Sequence, residues 1–178
     1  MLVIHAAITA AADALTRREP HRQAHLEHLV GLRRTGRVIG GGPSPDGRTA
    51  DVFYRVQRPT DLAPLIEEDP YTRAGVWTGH AARAFSQFVE PWELPPVVLD
   101  GSRGAMVIEG PVTDTDMAQL ALVELRGTGH LAFGGCFEDG GTTALVRSAD
   151  PAEAVAWFAD TGFWAADRLI ARPLVYVL

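Results

Sequence analysis

The chain has 178 residues, 47% hydrophobic and 21% charged, with a formal net charge of −6; this excludes disorder on composition and argues against sequence-independent binding to nucleic acid. One cysteine, Cys136, excludes an internal disulfide and any all-thiolate zinc or iron–sulfur site. All sixteen Lys/Arg-class residues are arginine, which excludes a Schiff-base lysine, a pyridoxal-phosphate anchor and a P-loop lysine.

Residues 2–8 are a β-rich opening run. The apolar stretch at this end lacks a preceding basic segment and is interrupted by His5 and Asp13, so it reads poorly as a signal peptide. No later run approaches the roughly 18–20 apolar residues of a membrane span, and the expectation is a cytoplasmic protein without membrane or nucleic-acid partners. Pro20 and Gly36 bracket a helix at about 20–35, with proline in the first turn and glycine just past the end. Strands are expected at 37–41 and 50–56, joined by the turn-rich GPSPDG. A helix near 60–67, the run DPY at 69–71 and a last strand near 82–89 complete a β-α-β-β-α-β order. Residues 91–104 (PWELPPVVLDGSRG) are proline-rich and aperiodic, as suits a linker.

The same order returns from 105 to 178. Residues 31–42 read GLRRTGRVIGGG and residues 124–135 read ELRGTGHLAFGG, identical in six of twelve columns. Flanking elements recur about 92 residues apart. The predicted fold class is α+β: two ferredoxin-like βαββαβ units, 1–90 and 105–178, packed as a pseudo-dimeric α+β barrel. Two such sheets in one chain can cover each other's apolar face.

The first long helix carries His21, His25 and His28 within a sector of about 60°. His25 lies nearest Leu29 and Leu32 on the half facing the sheet. It reads either as a partly buried structural histidine or as a general acid/base, because imidazole titrates near neutral pH. A metal site on His21, His25 and His28 is the weaker alternative, since no H-E-x-x-H pattern or cysteine accompanies them. Asp69 closes the second helix, where the dipole disfavours a carboxylate, and Pro70 also reads simply as a helix stop. GGGPSPDG joins two strands and lacks a following helix or lysine, so turn chemistry is preferred to a phosphate loop.

The run PHRQAHLEHLVGLRRTGRVIGGGP, followed by DPYTRAGVW, resembles the YciI-like (YCII) family over residues 2 to about 90, and the second half resembles it only weakly. The resemblance implies a ferredoxin-like fold dimerised into a barrel, no cofactor, and an active site pairing His25 with Asp69. Beside Asp69, Tyr71 and Arg73 are candidates for substrate binding, as are Pro43 and Trp77. It also implies lyase-type chemistry on a small cyclic or aromatic substrate, as in chlorinated hydroxyquinol breakdown. Dehydration and isomerisation use the same acid–base step. Two alternatives stay open: a non-catalytic small-molecule binder, and a cofactor-free monooxygenase. In the second copy Ala118 stands opposite His25 and Thr161 opposite Asp69, so that copy is expected to lack the dyad. A further homodimer remains open.

Overall fold

A computed structural model describes residues 1–100, 104–175 and 178. The first half runs β1 (Leu2–Ala10), α1 (Ala14–Arg17), α2 (Arg22–Arg34), β2 (Val38–Pro43), β3 (Thr49–Val56), α3 (Leu62–Glu67), α4 (Pro70–Arg73) and β4 (Trp77–Ala84). Then come β5 (Gln87–Val89), β6 (Ala105–Pro111), α5 (Thr115–Gly127), β7 (Leu131–Cys136), β8 (Gly141–Val146), α6 (Pro151–Ala159) and β9 (Ile170–Leu174). The strands form two antiparallel sheets, β2-β3-β1-β4 and β5-β7-β8-β6-β9.

The repeated T-G pair is a helix stop. Gly36 and Gly129 both take positive φ, 71° and 86°, which glycine adopts without a Cβ penalty. The following amides then bond back alike, Arg37 N to Leu32 O at 2.8 Å and His130 N to Leu125 O at 3.0 Å. Each chain end so released enters a strand with a register irregularity at the same place, between Val38 and Gly40 and between Leu131 and Phe133.

Alternation along the strands produces three apolar layers. Ile4, Ala6, Ile8, Val52 and Tyr54 face the first half's helices, while Met106, Ile108, Ala144 and Val146 face those of the second. The opposite faces meet each other: Val3, Ile39 and Phe53 pack with Val107, Phe133, Leu145 and Leu174. Leu122, Leu125 and Phe158 cover their own sheet on its helix side. A helix lies on only one face of its sheet, so the inter-sheet layer has to come from strand residues.

The expected last strand at 82–89 is two strands. β4 starts earlier, at Trp77, and pairs with β1; β5 leaves that sheet and pairs with β7 of the other (Gln87↔Cys136, Val89↔Gly134). The amide of Ser86 donates to Cys136 O at 2.9 Å. In return Val175 N donates to Pro43 O at 3.0 Å and Leu178 N to Gly41 O at 2.9 Å, so the segment after β9 bonds to the free edge of β2. One edge of each sheet, β2 in the first and β7 in the second, is therefore capped by chain leaving the other sheet. The expected linker is tied down too: Arg33 on α2 donates to the carbonyls of Ile39 and Pro95. Of that linker, 101–103 lie outside the described residues, as do 176–177 near the end of the second unit.

The crossing of β5 over β7 depends on a missing side chain. A Cβ on Gly135 would stand 2.2 Å from Gln87 O and 2.8 Å from the Phe85 ring. Gly135→Ala is expected to lower unfolding stability by about 1–3 kcal/mol, because backbone rather than a flexible side chain must give way. A urea midpoint unchanged from that of the native chain would contradict this account of the edge.

Candidate active site

His25 sits one turn into α2, on the face it shares with Leu29, and both side chains are buried. Asp69, read from sequence as the end of the preceding helix, is instead the N-cap of α4. Its extended backbone (φ −62°, ψ 130°) lets a carboxylate oxygen accept from Tyr71 N at 2.8 Å. The helix dipole thus favours this carboxylate where the sequence reading had it opposed. The side chain has no solvent exposure, and it meets His25: Nδ1 is 2.8 Å from Oδ1 and 3.0 Å from Oδ2. A carboxylate accepts and the ring donates, so Nδ1 carries the proton and Nε2 is the nitrogen left for chemistry.

Two aromatic rings fix the imidazole. Tyr71 stacks on it with centroids 3.7 Å apart and planes 8° from parallel, and Trp77 meets it edge-on at 5.1 Å. Burial pushes the Tyr54 phenol up, and the negative charge of Asp69 adds to this, so Tyr54 stays protonated at the core side of the site. His25 opens into a pocket with about 60 Å³ of free volume. Pro43, Tyr71 and Trp77 line it.

Arg73 does not belong there: it is exposed on α4 and is not part of the pocket wall. Its nearness to Asp69 in sequence does not carry over to the pocket wall. Nor are the three histidines gathered. His25 turns Nδ1 to Asp69, while His28 places Nε2 3.4 Å from the carbonyl of Leu65. Among the described residues no three His, Cys, Asp or Glu side chains are grouped as a metal site. Cys136 is buried, and burial followed by the charge of Asp116 pushes its thiol up to about 11, which makes it a poor nucleophile.

Among the wall residues that sequence reasoning missed are Arg18, Arg22, Leu99 and Leu178. Arg22 was within reach, since Arg22, His25, Leu26 and Leu29 follow the i, i+3, i+4, i+7 spacing of one helix face. Leu99 and Leu178 carried no local signal. They reach the first half's pocket from the linker and from the end of the second half.

The corresponding place in the second half is filled. Ala118 is fully buried where His25 would stand. Thr161 repeats part of Asp69's role, its Oγ1 accepting from Phe163 N at 3.4 Å as Asp69 accepts from Tyr71 N. The indole of Trp164 is buried against Phe158 and donates to Thr142 Oγ1 at 2.9 Å. Trp157 stacks on His130 at 4.0 Å, and Trp92 is exposed.

The fold defines the class: an α+β chain with two antiparallel sheets, of the dimeric α+β barrel type. Among solved structures, a protein from Lactobacillus acidophilus proposed to be a monooxygenase matches at TM-score 0.65 and 11% identity, covering 98% of this chain and 93% of its own. A protein proposed to be a chlorite dismutase matches at TM-score 0.52 and 10% identity, covering 99% and 95%. The 5-chloro-2-hydroxyhydroquinone dehydrochlorinase of Burkholderia phenoliruptrix matches at TM-score 0.43 and 18% identity, over 48% of this chain and 94% of its own. No protein-family model matches the sequence, and no curated protein does. Among the described residues no helix is long and apolar enough to cross a membrane.

Proposed function

We propose that this chain is a YCII-related, cofactor-independent acid–base enzyme of lyase, dehydratase or isomerase type, acting on a small cyclic or aromatic substrate. The supporting observation is the buried His25–Asp69 pair, with Nδ1 held by the carboxylate and the ring lining a largely apolar pocket. His25 Nε2 accepts a proton from the substrate. The electron pair of the broken bond forms a double bond within the substrate, which either expels a leaving group or is reprotonated elsewhere. Asp69 orients the imidazole and stabilises the imidazolium. General acid–base help of this kind contributes about 10²–10⁴ in rate.

The chain in this reading is a fused pseudo-dimer with one working copy. Matching strand orders, the paired helix stops and the reciprocal edge bonds support the duplication. Ala118 and the Trp164 indole support the loss of one site, since a methyl group moves no proton and an indole fills the space.

The test is incubation with chlorinated hydroxyquinols and related hydroxyquinones, following chloride release, product absorbance and oxygen uptake. His25→Gln is the informative variant, because its amide still donates to buried Asp69 but shuttles no proton. Turnover is expected to fall by about 10²–10⁴ with an unchanged urea midpoint. Turnover surviving the substitution would remove His25 from the mechanism, and uptake of oxygen matching product would replace the acid–base step with oxygenation.

A further inference from the structure

The proposed proton transfer makes no use of the two arginines in the pocket wall. Arg18 directly follows α1 and Arg22 opens α2. The rest of the wall is mostly small or apolar, including Ala10, Ala14, Leu26, Leu29 and Val76, and among the lining residues there is no carboxylate. The Nε of Arg18 has no good acceptor among the described residues. Its nearest carboxylate, Glu19 Oε1, is 3.7 Å from Nε, beyond a hydrogen bond. That Nε is sealed from solvent and has no hydrogen-bond partner among the described residues. A buried guanidinium N–H without an acceptor is costly, which makes an incoming anionic oxygen a favourable partner.

Both guanidiniums act on the end of the pocket where the imidazole sits. Burial pushes the Tyr71 phenol up; the charges of Arg18 and Arg22 oppose that push, and those of Glu19 and Asp69 add to it. Tyr71 is the ring stacked on His25. Positive charge, the ring face of Tyr71 and the reactive nitrogen of His25 therefore border one small space.

We infer that the pocket selects ring-bearing anions, phenolates or enolates, with Arg18 and Arg22 holding the charged oxygen while the ring lies against the apolar wall beside His25. This rests on the same pocket as the acid–base reading but not on its chemistry. An oxyanion gripped there also keeps the substrate ionised, so that electron density is available to the ring when His25 moves its proton.

The test uses 4-nitrophenol above its ionisation pH and the neutral ether 4-nitroanisole, titrated calorimetrically into the whole chain. The phenolate is expected to bind at least about tenfold more tightly, the size of one charge-assisted hydrogen bond. Arg18→Gln and Arg22→Gln should each reduce that preference by about tenfold or abolish it, and Arg22→Lys should keep part of it. Circular dichroism checks that each variant is folded. Equal affinity for the two probes, binding of neither, or a preference untouched by both glutamine variants would overturn the inference. His25→Gln separates it from the catalytic reading: the preference should persist there while turnover is lost. A preference that vanishes with His25 and survives loss of both arginines would assign the charge to the imidazole instead.

Discussion

Asp69→Ala is expected to destabilise the fold by about 2–4 kcal/mol, the combined cost of a buried ring N–H left without its acceptor and a lost helix cap. Two losses combine. The imidazole of His25, buried between Tyr71 and Trp77, loses its Nδ1 acceptor, and α4 loses the oxygen that caps Tyr71 N. Asp69→Asn separates them, because asparagine caps helices about as well as aspartate but brings no charge. The asparagine variant should retain most of the stability. Its turnover should still fall about a hundredfold or more, since nothing then stabilises the imidazolium or enforces the Nδ1–H tautomer. Urea denaturation and steady-state rates on the two variants measure the terms independently. An alanine variant as stable as the native chain would mean that the pair contributes nothing to the fold.

Arg172→Met should cost about 2–4 kcal/mol near neutral pH and much less in acid. This residue on β9 crosses to the other sheet. Its Nη2 and Nε donate to Asp51 at 2.9 and 3.1 Å, and its Nη1 to Glu109 at 2.8 Å. Asp51 also meets His5 Nε2 at 2.7 Å, and Arg83 stands 3.6 Å from Glu109 and pairs with Asp139. Burial pushes the Asp51 carboxyl up, but the hydrogen bonds from His5 and Arg172, with their charges, outweigh it and leave the group below its ordinary value. A depressed folded-state pKa contributes stability above the unfolded value, about 3.9, and loses it as pH falls through the folded value. The gap between native and variant should therefore be full at pH 7 and shrink below about pH 4. The cost stays under that of a wholly orphaned charge, because Asp51 keeps His5 and the Arg172 side chain is 28% exposed. Denaturation midpoints at neutral and acid pH decide this, and a gap independent of pH would assign the loss to packing alone.

The site was legible in part because its signals are local. His25 lies on the buried face of a helix whose ends are marked by Pro20 and Gly36, and D-P-Y is the N-cap sequence that lets Asp69 hold Tyr71 N. The helix brackets are readable from the sequence, whereas the D-P-Y cap reads there as a helix stop and its pairing with His25 is implied only by the family resemblance. Arg73 shows the limit of that logic. Four residues from Asp69 along the chain, it is exposed and lies outside the pocket, because nearness in sequence does not fix which surface a side chain joins.

By itself the sequence determined the α+β order, the two helix stops at Thr35-Gly36 and Thr128-Gly129, the residues of the histidine–carboxylate pair and the absence of that pair from the second half. Only the tertiary structure decided where the strand after β4 goes, which residues close the pocket, and what lies between the sheets. Val89 and Leu178 look like ordinary strand residues, yet each is held by the opposite sheet, because a sheet edge accepts any extended backbone and sequence periodicity does not name the partner. Likewise His5 and Asp51 sit in alternating strand patterns that read as polar positions facing water. They are buried because a second sheet packs on that face and Arg172 arrives with it, an encounter between residues 121 positions apart that no local pattern encodes.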